Sequence, residues 1–158
     1  MTRVGQGYDV HPFEDGRRLV LGGVTFEGET GLAGHSDGDV ATHAVIDALL
    51  GAAALGDIGG HFPSTDARLR DADSIDLLRQ VAKLVAAAGF RMGNVDLTVV
   101  AERPRIAPRV TEMRQRLAAA LGVDTARVSV KATTTDGLGF TGRGEGIAAL
   151  AVALLDEA

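Results

Sequence analysis

Between Asp39 and Leu55 the chain reads DVATHAVIDALLGAAAL, a helical pattern that is apolar around most of its circumference. One polar stripe interrupts it: Asp39, His43 and Asp47 follow i, i+4, i+8 spacing and share a face. Burying such a stripe without partners is expensive, because an unpaired charge loses its hydration. The stripe therefore either faces water or meets polar groups brought from elsewhere in the chain. No Lys, Arg or Glu accompanies it, which speaks against a purely solvated face. Ser36 and Asp37, just upstream, are candidates for the helix cap.

Around this segment the periods of 2 and 3.6 residues alternate. Arg3 to Val10 reads as a strand, and Arg18 to Phe26 as two short apolar runs hinged at Gly22-Gly23, a tight hairpin. A second helix starts near Asp73-Ser74, sets Leu77, Leu78, Val81 and Leu84 on one face, and ends at Gly89. Val95, Leu97 and Val99 alternate as a strand. Val110, Met113, Leu117 and Leu121 form a third helical face, bounded by Pro108 and Gly122. Val128, Val130 and Ala132 alternate again, and Ile147 to Leu155, apolar on every side, fits a strand or a helix. Strands and helices in this mixed order predict an α+β layered domain.

At 158 residues with 46% apolar content, the chain has material for one domain, residues 1–158, with a real core. A formal charge of −5 argues against a nucleic-acid platform. The longest apolar run is far short of the roughly 20 residues that span a bilayer. With no signal-peptide pattern at MTRVGQGYDVHPF, a cytoplasmic protein is expected. Cysteine is absent, so a zinc site would have to use His and carboxylate ligands. The 21 glycines, about twice the average usage of roughly 7%, cluster beside polar residues. There the backbone must turn sharply or approach a ligand.

The chemistry-bearing residues fall in four clusters. Asp9 and His11 sit at i and i+2 of a strand, so they point to one face and can bind one ion together, or form a solvated polar pair. Gly34 to Asp39 leads into His43. Joining Asp9, His11 and His43 gives three ligands and an open fourth position, the pattern of a catalytic zinc. Asp47, one turn from His43, is placed to orient its ring. Thr133, Thr134, Thr135 and Asp136 follow a strand, which suits phosphate and a hard cation or an ordinary turn. Gly139 to Gly146 is a glycine-rich loop holding Arg143, with neither Walker A nor dinucleotide spacing. His61 lacks such company and reads as a surface or lid residue.

The segments GYDVHPF, GLAGHSDGDVATHAVIDALLGAAALGDIG, GNVDLTVVAERPRI and KATTTDGLGFTGRGEG resemble the 2-C-methyl-D-erythritol 2,4-cyclodiphosphate synthases of the non-mevalonate isoprenoid route. The resemblance runs from Val4 to Leu155 and is to a stand-alone cyclase. It implies a two-layer α+β subunit with a mixed sheet, assembled as a homotrimer with active sites between neighbours. It also implies a bacterial cytoplasmic or plastid-type compartment, of which the cytoplasm is favoured here.

The family's functional residues map onto this chain as follows. Asp9, His11 and His43 would bind one zinc per subunit, with Asp9 and His11 also touching substrate. His35 and Thr134 match positions credited with stabilising the transition state, and Ser36 would contact phosphate. Asp57, Ile58 and Gly59 match contacts to the ribose and methylerythritol. The loop from Phe62 through Ser64 to Asp66 matches a mobile cover over the erythritol. Ala101, Arg105, Ile106 and Ala107 belong to a segment that would bind cytosine. Thr133, Thr134, Thr135 and Asp136 would hold the diphosphate and a second divalent ion, Mg²⁺ or Mn²⁺. Phe140 and Arg143 match residues beside a threefold cavity where relatives can bind an isoprenoid diphosphate.

Three positions depart from the family pattern. Ser64 replaces a usual Asp, which puts a shorter, neutral side chain where a carboxylate contact to an erythritol hydroxyl is expected. Arg105 replaces a common Lys, keeping charge but changing donor geometry. Asp136 is one methylene shorter than the usual Glu, so its metal contact would run through water. The implied reaction is attack of the 2-phosphate of 4-diphosphocytidyl-2-C-methyl-D-erythritol 2-phosphate on its own β-phosphorus, releasing CMP. Two other classes fit the same Asp/His cluster: a metal-dependent phosphodiester hydrolase giving linear products, and a non-catalytic trimeric binder of cytidine nucleotides or isoprenoid diphosphates.

Overall fold

The alternation that begins at Arg3 runs on as a 13-residue strand, β1 (Thr2–Glu14). It is followed by the hairpin β2 (Leu19–Leu21) and β3 (Val24–Phe26), then β4 (Gly31–Leu32) and helix α1 (Val40–Ala52). Next come the single-turn α2 (Ile58–His61), α3 (Ser74–Ala87), β5 (Phe90–Val100), α4 (Val110–Leu121) and β6 (Val128–Thr133). The short α5 (Gly139–Gly142) and the long strand β7 (Gly146–Glu157) complete the chain. These elements come from a computed structural model that describes all 158 residues, Met1–Ala158.

The main sheet is mixed, with strand order β4-β1-β7-β5-β6. β1 runs antiparallel to both β4 and β7, β5 antiparallel to β7, and β5 parallel to β6. The helices cover one face: α1 lies on β1 and β7, and α3 packs between α1 and α4. Ile46, Leu49, Leu50, Leu78, Leu97, Met113, Leu117, Ile147 and Leu155 are fully buried between the two layers. The α+β expectation holds. No helix is long and apolar enough to cross a membrane.

The run from Ile147 to Leu155, ambiguous by periodicity, is a strand at the centre of the sheet between β1 and β5. A central strand has two faces to satisfy, so its residues need not alternate in polarity. Ala149, Ala151, Ala153 and Leu155 face the helices and are buried. The opposite face bears no helix. There Val4, Tyr8 and Val152 are 65%, 55% and 44% exposed, with the half-buried Leu150 and Leu154 beside them.

Two glycines set the distance between the layers. Gly5 and Gly7 face α1 from β1, and a Cβ on either would lie 2.0 Å from the Ala48 carbonyl oxygen or 1.9 Å from that of Ala44. No side chain fits, so strand and helix backbones are in direct contact. Gly7→Ala should therefore push α1 off the sheet and cost about 3 kcal/mol, the upper end of the usual overpacking range. Urea unfolding checks this. A loss below about 0.5 kcal/mol, the scale of an ordinary surface substitution, would mean that the layers are not in contact.

The cap of α1 differs from expectation. Asp39, not Ser36 or Asp37, is the N-cap and accepts from the Thr42 backbone N–H at 2.9 Å. Its second oxygen takes the Thr42 hydroxyl at 2.7 Å, and the N–H groups of Gly22 and Gly23 reach its two oxygens at 2.8 Å each. Three adjacent polar side chains could each have capped the helix; the β2–β3 turn, whose amides point at Asp39, decides which one does. Burial, with the charge of Asp37 added, pushes the Asp39 carboxyl up despite these bonds. The other boundaries follow local chemistry: Asp73 caps α3, Gly89 follows it with φ +88, and Gly122 closes α4 in the left-handed region.

Candidate metal centre

Because Gly5 and Gly7 bring α1 onto β1, His43 near the start of α1 meets Asp9 and His11, further along the same face of β1. The His11 Nε2 lies 2.8 Å from Asp9 Oδ2 and 3.2 Å from His43 Nδ1, and His43 Nδ1 lies 3.1 Å from Asp9 Oδ2. A tetrahedral ion with ligands near 2.0 Å sets them about 3.3 Å apart. The triad is already close to that spacing, and it is the one cluster of His, Cys, Asp or Glu arranged to hold a metal ion.

The far nitrogen of each ring shows which atom is free to ligate. His11 Nδ1 lies 2.5 Å from the Ala33 carbonyl oxygen, which can only accept, so Nδ1 keeps its proton and Nε2, turned toward Asp9 and His43, is the nitrogen left to ligate an ion. His43 Nε2 contacts the hydroxyls of Ser74 at 2.8 Å and Ser36 at 3.1 Å, leaving Nδ1 toward Asp9. Burial opposes the charge on Asp9, but the bonds and charges of His11 and His43 prevail and hold its carboxyl well below the usual carboxylate range. Burial also lowers His11, and the Asp9 hydrogen bond and charge outweigh it and raise the imidazole. Two imidazoles and a carboxylate, with no thiolate, fit a borderline divalent ion such as zinc.

The polar stripe of α1 divides among three tasks. Asp39 caps the helix and His43 enters the triad. Asp47, expected to orient the His43 ring, instead accepts from the Ile58 N–H at 2.7 Å and so fixes the start of α2. Burial, followed by the charges of Asp9 and Asp57, pushes its carboxyl up. The residues that do hold His43, Ser36 and Ser74, are 7 and 31 positions away in sequence.

The triad lines a cavity of about 260 Å³ together with His35, Ser36, Ile58, Gly59, Phe62, Ser64, Leu69 and Leu77. Most of these were singled out from the sequence. Leu69 and Leu77 carry no such signal, because nothing in a leucine's spacing separates a cavity wall from a core position. Asp57 caps α2 through the Gly60 N–H at 2.9 Å. Asp66 turns its carboxylate outward to Arg68, while its carbonyl accepts from His35 Nε2 at 2.8 Å. His61 is exposed and bonds the Leu55 carbonyl.

The other candidate residues form a separate group at the carboxyl ends of the parallel pair β5 and β6. The Ala101 N–H bonds the Thr133 carbonyl at 3.0 Å, and the Gly137 N–H bonds Glu102 at 3.1 Å, which ties the 101–107 segment to the 133–137 turn. Thr133, Thr134 and Asp136 are exposed there, and Asp136 has φ +53, a left-handed conformation that Asp tolerates. Thr135 spends its hydroxyl on the Leu138 carbonyl and on Thr141, so its side chain braces the turn. Arg143 pairs with Glu145 beside the exposed Phe140. None of these residues lines the triad cavity of the same chain.

Residues 2–156 match the YgbB family. The chain is 63% identical over 153 residues to the 2-C-methyl-D-erythritol 2,4-cyclodiphosphate synthase of Moorella thermoacetica, covering 97% of this chain and 94% of that protein. It is 64% identical over 152 residues to the bifunctional enzyme IspD/IspF of Anaeromyxobacter sp. (strain Fw109-5), covering 96% of this chain but only 39% of that longer protein. Among solved structures it is similar to a CDP complex of IspF from Plasmodium falciparum, with TM-score 0.86 and 33% identity over 99% of this chain and 96% of that one.

Proposed function

The chain belongs to the YgbB family, and on that premise we propose that it is an enzyme that cyclises 4-diphosphocytidyl-2-C-methyl-D-erythritol 2-phosphate to 2-C-methyl-D-erythritol 2,4-cyclodiphosphate with release of CMP. The observation that carries this reading is the convergence of Asp9, His11 and His43 on the floor of a cavity that also holds His35 and Ser36. The CDP complex of a relative supports the nucleotide half of the substrate.

The nucleophile, a phosphate monoester, is already an anion near neutral pH, so no general base is needed. What the reaction requires is alignment and relief of repulsion between like charges. Asp9, His11 and His43 would hold zinc, which when bound supplies Lewis acidity toward a phosphoryl oxygen. His35 and Thr134 donate hydrogen bonds to the charge that develops on the phosphoryl oxygens, and Ser36 binds phosphate. Thr133 and Asp136 would take the diphosphate and a second divalent ion, Mg²⁺ or Mn²⁺. Ala101, Arg105, Ile106 and Ala107 take the cytosine end. Fixing the two ends of one substrate makes the attack intramolecular, and such positioning can supply up to roughly 7–11 kcal/mol of the barrier. The loop from Phe62 to Asp66 covers the erythritol and excludes water, which would otherwise hydrolyse the diphosphate. Ser64, within the cavity lining, offers that sugar a shorter, neutral hydroxyl contact.

The split between the triad cavity and the 101–107/133–136 group favours a site completed by a neighbouring subunit. The helix-free sheet face, with Val4, Tyr8 and Val152 uncovered, favours a second copy of the chain as its cover. We therefore read the working unit as a homotrimer of single 158-residue domains in the cytoplasm. Phe140 and Arg143 then lie toward its central cavity, where an isoprenoid diphosphate could bind.

Incubation with the methylerythritol substrate, followed by phosphorus NMR, tests the function. A cyclic diphosphate and CMP are expected. Linear phosphate products would make the chain a hydrolase, and unchanged substrate under Mg²⁺ or Mn²⁺ with zinc would make it a binder.

A further inference from the structure

Beside the Ser36 hydroxyl, His43 is held from behind by a chain of two residues. Its Nε2 lies 2.8 Å from Ser74 Oγ, and Ser74 Oγ lies 2.5 Å from Asp37 Oδ1. The other Asp37 oxygen accepts the Ser74 backbone N–H at 3.0 Å. Ser74 is fully buried at the first position of α3, so water cannot replace either partner. A carboxylate can only accept and a serine hydroxyl has one hydrogen. Ser74 gives that hydrogen to Asp37, and what it presents to His43 is a lone pair. Facing that lone pair at 2.8 Å, His43 Nε2 carries the ring proton, with the Ser36 hydroxyl at 3.1 Å as a second, more distant acceptor, and Nδ1, facing Asp9 and His11, is left as the ligating atom.

We propose that Asp37 and Ser74 are positioning residues that fix the His43 tautomer and ring orientation for metal binding. This inference rests on the reading of Asp9, His11 and His43 as a metal site. It gives His43 what the Ala33 carbonyl gives His11, a fixed proton on the nitrogen that faces away from the ion. Asp37 is itself tied down: its backbone N–H bonds the Ala72 carbonyl at 3.0 Å, and its Oδ1 accepts the Asp39 N–H at 3.0 Å. The His43 ring is thereby braced against the start of α3 as well as against its own helix.

Two measurements test this. In protein labelled with ¹⁵N-histidine and loaded with ¹¹³Cd²⁺, cadmium should couple to Nδ1 of His43 and Nε2 of His11, and the His43 Nε2–H should exchange slowly. Coupling to His43 Nε2, or a rapidly exchanging proton there, overturns the relay without any variant. Zinc affinity, measured by chelator competition, should fall about 10–100-fold in Ser74→Ala, the usual effect of removing such a partner. Ser74→Thr, which keeps the hydroxyl, should recover most of the loss. Wild-type affinity in a folded Ser74→Ala overturns the proposal while leaving the metal site standing. Equal affinity in His43→Ala and the wild type would instead remove the metal site itself.

Discussion

Replacing His43 by alanine should strip the purified protein of zinc and reduce turnover by about 10³-fold or more while the fold survives. Lewis-acid stabilisation of a phosphoryl oxygen is worth several kcal/mol, and each 1.36 kcal/mol is a factor of ten in rate. A triad reduced to Asp9 and His11 has two ligands, too few for a three-ligand catalytic zinc. The fold should persist because alanine is the best helix former and α1 is held by its other buried residues, Val40, Val45, Ile46, Leu49 and Leu50 among them. Metal analysis beside a circular-dichroism melt decides the matter. Full zinc occupancy in a folded His43→Ala protein would show that the ligand set is wrong.

Two inactive variants, co-expressed, should recover about one quarter of wild-type activity. One carries Asp9→Ala in the triad, and the other carries Thr134→Ala with Asp136→Ala in the turn after β6. In the proposed trimer, either variant alone would leave every site lacking one half. If sites lie between subunits joined head to tail, a working site needs an intact triad on one chain and an intact turn on the next. With equal mixing that joint chance is 1/2 × 1/2, or about one quarter. The motive is the geometry of a single chain, whose triad cavity draws no lining residue from 101–107 or 133–143. Native mass spectrometry would verify that mixed trimers form. Mixed trimers without recovery would place the whole site within one chain.

The features legible in the sequence were those decided locally. Asp73 caps the helix it precedes, Gly122 adopts the left-handed turn after α4, and Gly22-Gly23 makes the β2–β3 turn, each from chemistry within a few residues. The period-2 rule placed Asp9 and His11 on one face, and His43 was within reach once a helix was assigned. What escaped depends on contacts across the fold. The choice of Asp39 over Ser36 or Asp37 as cap is made by amides of a hairpin 16 and 17 residues upstream. Helical spacing points to Asp47, one turn away, as the partner of His43, whereas the ring bonds Ser74, on another helix. β7 hid its identity because a strand at the centre of a sheet can be apolar on both faces. The roles proposed for His35, Thr134 and the 101–107 segment rest on family resemblance and not on spacing.

The contact of Gly5 and Gly7 with the Ala44 and Ala48 carbonyls makes the metal pocket and the protein core one mechanical object. Asp9 and His11 continue the glycine face of β1, and His43 adjoins Ala44 on the helix it touches. Nothing compressible lies between the two backbones at that point. A change anywhere along this seam that lets α1 drift by a few tenths of an ångström moves one ligand relative to the other two. Across a panel of seam variants, loss of thermal stability and loss of zinc affinity should therefore rise together. A metal bound by Asp9, His11 and His43 would act in turn as a rivet through both layers, so a chelator should soften the whole domain and not merely its cavity. A thermal screen of this enzyme would then be, in effect, a screen of its candidate metal site.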